Sequence, residues 1–239
     1  MKLTKENIQF IDNYLIKNKV KYWDVRLELL DHIVSAVEDK MTNSSVSFND
    51  ALLEVHSGFG NQLIKGSISK DEVWTKGLYQ SNIGFKKFIR NKQKQIGRKN
   101  RKQYWAVLKQ LLGSLNFILE YVLFMGLLYM IYQYNPKTAF IIAIVALVAP
   151  DLYKFRYVFK SRVYNSLNAN MAGLINCTFI CTQGAFISFY KDEFTLSGIV
   201  DYSYIICFYA LLYPLTRASL NLYRQILKTE RERYNLMVA

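Results

Sequence analysis

The sequence predicts an all-α protein in two parts, an N-terminal cytoplasmic helical domain followed by a four-helix transmembrane bundle. Three observations predict it: apolar residues at helical spacing in the front third, four long apolar runs in the back half, and a dense cationic stretch between them. The 239 residues carry 31 Lys and Arg against 18 Asp and Glu, a formal net charge of +13, yet 51% of the chain is hydrophobic. Those properties are segregated, with most of the charge before Lys109 and most uninterrupted apolar sequence after it. Charge asymmetry of this kind separates two compartments. Positive charge set beside long apolar runs is not the footprint of a nucleic-acid binder, so no direct nucleic-acid contact is expected.

The first element, from Thr4 to about Lys17, places Ile8, Ile11 and Leu15 on one helical face, with Thr4 available as N-cap. The second, Tyr22 to about Met41, turns Val25, Leu29, Ile33, Ala36 and Val37 inward and Asp24, Arg26, Glu28 and Glu38 mostly outward. Asn43-Ser44-Ser45 breaks it. Ser47-Phe48-Asn49-Asp50 then resembles a capping box opening a short helix through Ala51, Leu52 and Val55, which Gly58 and Gly60 end. A less periodic stretch, Asp71 to Tyr79, is expected to be helical, and no segment alternates well enough to predict a strand. These elements form a domain over residues 1–85. The first residues lack the apolar run and small-residue cleavage site of a signal peptide, so this domain is expected to stay in the cytoplasm.

Residues 86–106 form a basic linker or interfacial helix. Lys86 to Lys102 holds nine Lys or Arg and no acidic residue. Lys86, Lys87, Arg90, Arg98, Lys99, Arg101 and Lys102 are candidates for contact with lipid headgroups, an anionic surface that attracts each nearby cation by about 1 kcal/mol. Tyr104 and Trp105 follow where interfacial aromatics belong.

Residues 107–218 contain the four expected spans, about 111–132, 138–153, 172–190 and 202–215. A bilayer core of about 30 Å takes roughly 20 helical residues, so the second and fourth need their flanking tyrosines to reach both interfaces. Buried helices of a soluble bundle would show polar faces, and Phe140 to Ala149 shows none. Pro150 and Pro214 are expected to end or kink the second and fourth spans. Positive charge before the first span, in Lys154 to Arg162 and in the tail from Arg217 places those three regions inside, which makes both termini cytoplasmic. Residues 219–239, with Leu220, Ile226 and Leu227 among basic residues, read as a cytoplasmic amphipathic tail.

Few residues point to chemistry. Glu120 sits well inside the first expected span, where an ionised carboxylate costs several kcal/mol unless paired, protonated or wet. Asn176 and Gln183 lie two turns apart on one face of the third span, a face that should meet protein. Cys177, Cys181 and Cys207 all fall in apolar segments and make no disulfide or zinc spacing. Glu28 and His32 stand four residues apart, a metal half-site at most, and more often a structural pairing. Asp151 beside Lys154 and Arg156 reads as an interfacial ion pair. No phosphate-binding loop, nucleophile elbow or paired zinc-ligand helix occurs, so no catalytic residue, cofactor or metal is assigned.

The blocks Asn7 to Leu15, Asp24 to Ile33, Phe48 to Leu52 and Gly58-Phe59-Gly60 together resemble the HAAS-type helical domain, over about residues 5–65. That family's pattern is a helix, a second helix with an acidic-His centre, a short Ala-Leu helix and a Gly-bearing turn, usually ahead of membrane spans and often encoded beside a PadR-type transcription regulator. Here Met41 to Val46 replaces the short glycine turn, and the final Pro-containing segment is absent. The resemblance implies a docking or sensing module in the bacterial cytoplasmic membrane, with a cytoplasmic protein partner such as a PadR-type regulator and Asp24, Glu28, Asp31 and His32 as the docking face. The expectation is therefore a non-enzymatic regulatory or scaffolding membrane protein, whose spans contact the lipid bilayer and are compatible with a homo-oligomer. The alternative is a subunit of an oligomeric transporter or channel that uses Glu120 and the polar face of the third span.

Overall fold

The structure, a computed structural model, describes residues 2–63, 79–158, 165–175 and 202–238. Eight helices occur among them: α1 (Lys5–Lys17), α2 (Trp23–Ser44), α3 (Phe48–Gly58), α4 (Ile83–Leu112), α5 (Leu115–Tyr134), α6 (Pro136–Val158), α7 (Leu167–Gly173) and α8 (Tyr202–Val238). A minimal antiparallel pair, β1 (Gln62–Leu63) with β2 (Tyr79–Ser81), joins Gln62 to Ser81 and Leu63 to Tyr79. Among the described residues the regular structure is thus helical apart from that pair. Tyr79, expected in a helix, is in β2, while residues 71–78 lie outside the described residues. Two compact units result: Met1–Ile96 with Asn165–Leu167, and Gly97–Tyr164 with Asn168–Ala239.

In the N-terminal unit the local signals set the helix ends. Thr4 caps α1, its Oγ1 accepting from the Asn7 amide at 3.3 Å, and Ser47 caps α3 by accepting from Asp50. α1 stops where Lys19 turns left-handed at φ 65°, and the Val20 amide reaches back to the Leu15 carbonyl at 3.1 Å. Gly60 takes φ 81° just after α3, the conformation an L side chain resists. Ile11, Leu15, Leu29, Val37 and Leu52 are fully buried, the inward set read from spacing, with Phe85 closing the core. Gly84 lies so close to the Phe59 carbonyl that a Cβ there would collide with backbone.

The second unit has two apolar clusters. Leu128, Phe140, Ala143, Leu147 and Ile206 join α5, α6 and α8; Tyr104, Leu108, Ala172, Ala218, Leu222 and Tyr223 join α4, α7 and α8. Two helices here are long and apolar enough to cross a membrane: Leu115–Tyr134, of mean hydropathy 1.7, and Pro136–Lys154, of mean hydropathy 1.5. Of those windows, 11% and 28% are buried among the described residues. The remaining two expected spans are not seen as such. Most of 172–190 lies outside the described residues, and the apolar part of 202–215 stops at Leu215, before Thr216 and Arg217.

Three boundaries differ from expectation for physical reasons. The run from Leu111 breaks at Gly113 and Ser114, so α5 begins at Leu115 and Glu120 lies in its second turn rather than well inside a span. The basic stretch is continuous helix, part of α4. Neither proline ends its helix, since α6 runs on to Val158 and α8 to Val238, which puts the fourth apolar segment and the tail on one element. At Pro214 the cause is visible: proline cannot donate to the Ala210 carbonyl, and the Tyr121 hydroxyl of α5 donates to that oxygen instead, at 3.2 Å.

Candidate functional site

The second unit holds the densest chemistry, in three polar clusters. The first surrounds Glu120. The Tyr213 hydroxyl donates to Glu120 Oε1 at 2.8 Å, and Arg217 Nη2 meets Oε2 at 3.2 Å, so both carboxylate oxygens are held by α8. Tyr213 is itself stacked on Phe124 at 4.6 Å and flanked by Phe117 and Tyr121. These rings fix the phenol, and the phenol with Arg217 fixes the acid. The cluster pairs α5 to α8; among the described residues it has no second carboxylate or histidine through which a proton could move on.

The second cluster is fully buried. Lys154 and Asp151 side chains are 2% and 3% exposed, and their Nζ and Oδ1 atoms are 2.8 Å apart. Lys154 Nζ also donates to Ser219 Oγ at 2.8 Å and towards the Ile175 carbonyl at 3.4 Å. An ammonium has three protons, and here each has an acceptor. Ser219 spends its own proton on the Ile175 carbonyl at 2.7 Å, and the Tyr223 hydroxyl donates to the Lys154 carbonyl at 3.3 Å. A serine 2.8 Å from a lysine invites comparison with a nucleophile and its base. The geometry argues otherwise, because the lysine's Nζ is taken up by Asp151 and donates to the serine, whose own proton points away to the Ile175 carbonyl. The arrangement is a charged staple between α6 and α8. Sequence reading counted Lys154 among the loop cations and as part of an interfacial ion pair with Asp151; the pair forms, but Lys154 is one of the most buried side chains among the described residues.

The third cluster runs from Asn100 to Asn168 Oδ1 at 3.2 Å, from Asn168 Nδ2 to Glu230 Oε1 at 2.9 Å, and on to Arg233 at 3.5 Å. Glu230 is 1% exposed although its neighbours in sequence read as a solvated tail. Ser219, Tyr213, Asn100, Asn168 and Glu230 escaped sequence reasoning, and Arg217 entered it only as a tail cation. The one available signal was the recurrence of Arg217, Asn221 and Arg224 through an otherwise apolar stretch of α8.

The N-terminal unit divides the expected docking face. Asp24 accepts from the Leu167 amide at 2.8 Å and from the Ser166 hydroxyl at 3.0 Å, within the same unit. Glu28 pairs with Lys92 and lies 3.9 Å from His32 Nε2. His32 packs edge-on to Phe88 but is exposed, as is Asp31. So the four residues are not equivalent: two serve internal contacts and two face outward. His56 is buried beside Tyr14 and Phe85, bonded through Nδ1 to the Tyr14 hydroxyl, and burial pushes its pKa down to about 4.

Of the expected headgroup residues, Lys86, Lys87, Arg90, Arg98, Lys99, Arg101 and Lys102 are all exposed on α4. Asn176 and Gln183 lie outside the described residues. Among the described residues no three His, Cys, Asp or Glu side chains gather as a metal site would require. Comparison with protein-family models, with curated proteins and with solved structures found no match to this chain.

Proposed function

We propose that this chain is a non-enzymatic, multi-pass protein of the bacterial cytoplasmic membrane, with both termini in the cytoplasm and an N-terminal helical domain that docks a cytoplasmic protein. The observation that carries the membrane part is the exposure of large apolar side chains on helices of spanning length: Leu115 at 76%, Leu123 at 73% and Leu119 at 62% on α5. A protein meant for water does not leave such a contiguous apolar surface bare. The buried Lys154 cluster, in which each ammonium proton has an acceptor, fits the same solvent, since hydrocarbon offers no partner to a polar group left open.

For docking, the supporting feature is the outward part of α2, where Leu27, Asp31 and His32 stand exposed beside one another. An exposed leucine flanked by an acid and an imidazole suits a helix-in-groove or helix-face partner, which the HAAS-type resemblance makes a PadR-type regulator. The transporter alternative gains nothing from Glu120, whose two oxygens are committed to Tyr213 and Arg217.

Two measurements test the reading. The full chain should remain in the membrane pellet after alkaline extraction; its release into buffer would end the membrane part. A partner co-purifying from native membranes should be lost with residues 1–85 removed, and weakened by Leu27→Glu with Asp31→Lys; a partner retained by both would end the docking part.

A further inference from the structure

Where α4 gives way to α5, an open groove of about 390 Å³ lies between these helices and α8 within the second unit. Its polar wall is Gln110, Ser114, Asn221, Arg224 and Gln225. Val107 and Leu111 make its apolar floor. The volume falls in the range of small-molecule sites. None of the four uncharged polar side chains forms a hydrogen bond within the described residues, and Ser114, although the N-cap of α5, makes no side-chain capping bond. Arg224 has no carboxylate partner among the described residues; its guanidinium rests over the Tyr153 ring at 5.1 Å, which orients it without neutralising it. One cation, four idle hydrogen-bonding groups and no acid on the wall make a site for an anion.

We propose that this groove binds the phosphate of an anionic phospholipid, Arg224 meeting the charge and Gln110, Asn221, Gln225 and Ser114 donating to phosphate and ester oxygens. Guanidinium matches a phosphate diester in both charge and fork geometry. The neighbouring surface chooses a lipid over free phosphate. Next to Ser114 the chain presents Leu112 and Leu115, 51% and 76% exposed, followed on α5 by Ile118 and Leu119. An acyl chain continues along that surface while its headgroup sits in the groove, a depth at which charged headgroups meet hydrocarbon. The inference rests on the membrane reading above, and it goes further by naming one residue and one lipid class.

The test is lipid retention by the full chain, measured by native mass spectrometry after purification in mild detergent and titration with phosphatidylglycerol or phosphatidylcholine. One phosphatidylglycerol per chain should be retained in preference to phosphatidylcholine. Arg224→Gln should weaken it about tenfold, the loss of one charge-assisted pair. Arg224→Lys should recover most of that, and Gln110→Ala with Asn221→Ala, which leave the charge intact, should cost about threefold. Arg231→Gln, at an exposed position of α8 outside the groove, should change retention less than about twofold. Equal retention of the two lipids, or equal losses from Arg231→Gln and Arg224→Gln, would overturn the assignment in favour of diffuse surface charge. Displacement of the lipid by millimolar inorganic phosphate would overturn it in favour of a free-phosphate site. Failure of the membrane reading is distinguishable, since the chain would then need no detergent at all.

Discussion

The two units solve the same packing problem in opposite senses. In the first, Ile11, Leu15, Leu29 and Val37 are wholly buried while charged side chains line the outside. In the second, Lys154, Asp151 and Glu230 are among the most buried side chains, at 1–2% exposure, while Leu115, Leu123 and Leu211 are at least 70% exposed. Both units are built of amphipathic or apolar helices, so secondary structure does not separate them. On the membrane reading proposed above, what separates them is which groups the surroundings can satisfy: water accepts charge and rejects leucine, and hydrocarbon does the reverse.

That contrast can be broken most forcefully at the buried staple. Lys154→Met leaves Asp151 enclosed without its cation and should cost about 3–5 kcal/mol, read as a fall in the unfolding midpoint of the protein in detergent. The double change Lys154→Met with Asp151→Leu should recover most of it. Equal instability of the single and double variants would mean that the pair was not the cause. Next in size is a charge on the exposed apolar face. Leu123→Arg should cost about 2.5–3.5 kcal/mol for insertion into a bilayer. Were the second unit a water-soluble body, the same exposed substitution should change stability by no more than about 0.5 kcal/mol.

A third test concerns pH in the first unit. The pKa of His56 is pushed from its ordinary 6.5 down to about 4, so between those values the unfolded chain binds the proton more readily than the folded one. Stability contributed by the neutral ring is complete above pH 6.5 and is lost progressively as the pH falls to about 4. Hydrogen exchange of α1 and α3 amides should quicken over that window, and His56→Gln should flatten the response. The smallest effect expected is at the proline. Tyr121→Phe should cost about 0.6–1.7 kcal/mol, the scale of one hydrogen bond between membrane helices. In a background of Pro214→Ala, where the helix can supply its own donor to the Ala210 carbonyl, the same change should cost little; an undiminished loss would show that the hydroxyl contributes through something other than the Ala210 carbonyl.

The sequence made legible whatever is local. Thr4 and Ser47 cap the helices they were expected to cap, because a cap reads its own third residue. The inward face of α2 follows from spacing alone. The break at Gly113 and Ser114 was illegible because leucines continue on both sides of it, so hydropathy sees one run where the backbone makes two helices. The buried charges were illegible for a different reason. Glu120 stood out as an acid in an apolar run, but its partners lie 93 and 97 residues away, and Ser219 lies 65 residues from Lys154. Nothing short of the folded chain brings those groups together. The docking face also changed meaning, since Asp24 and Glu28 face the same side as His32 in sequence yet serve contacts inside their own unit.

The ammonium of Lys154 also bears on the order of assembly. Asp151, one turn earlier on the same helix, is available as soon as α6 exists, but the other two acceptors belong to Ile175 and Ser219, which emerge from the ribosome later. Until Ser219 has been synthesised and docked, two of the ammonium protons have only water to accept them, so on the membrane reading proposed above α6 should settle into its final place only after residue 219 has been made.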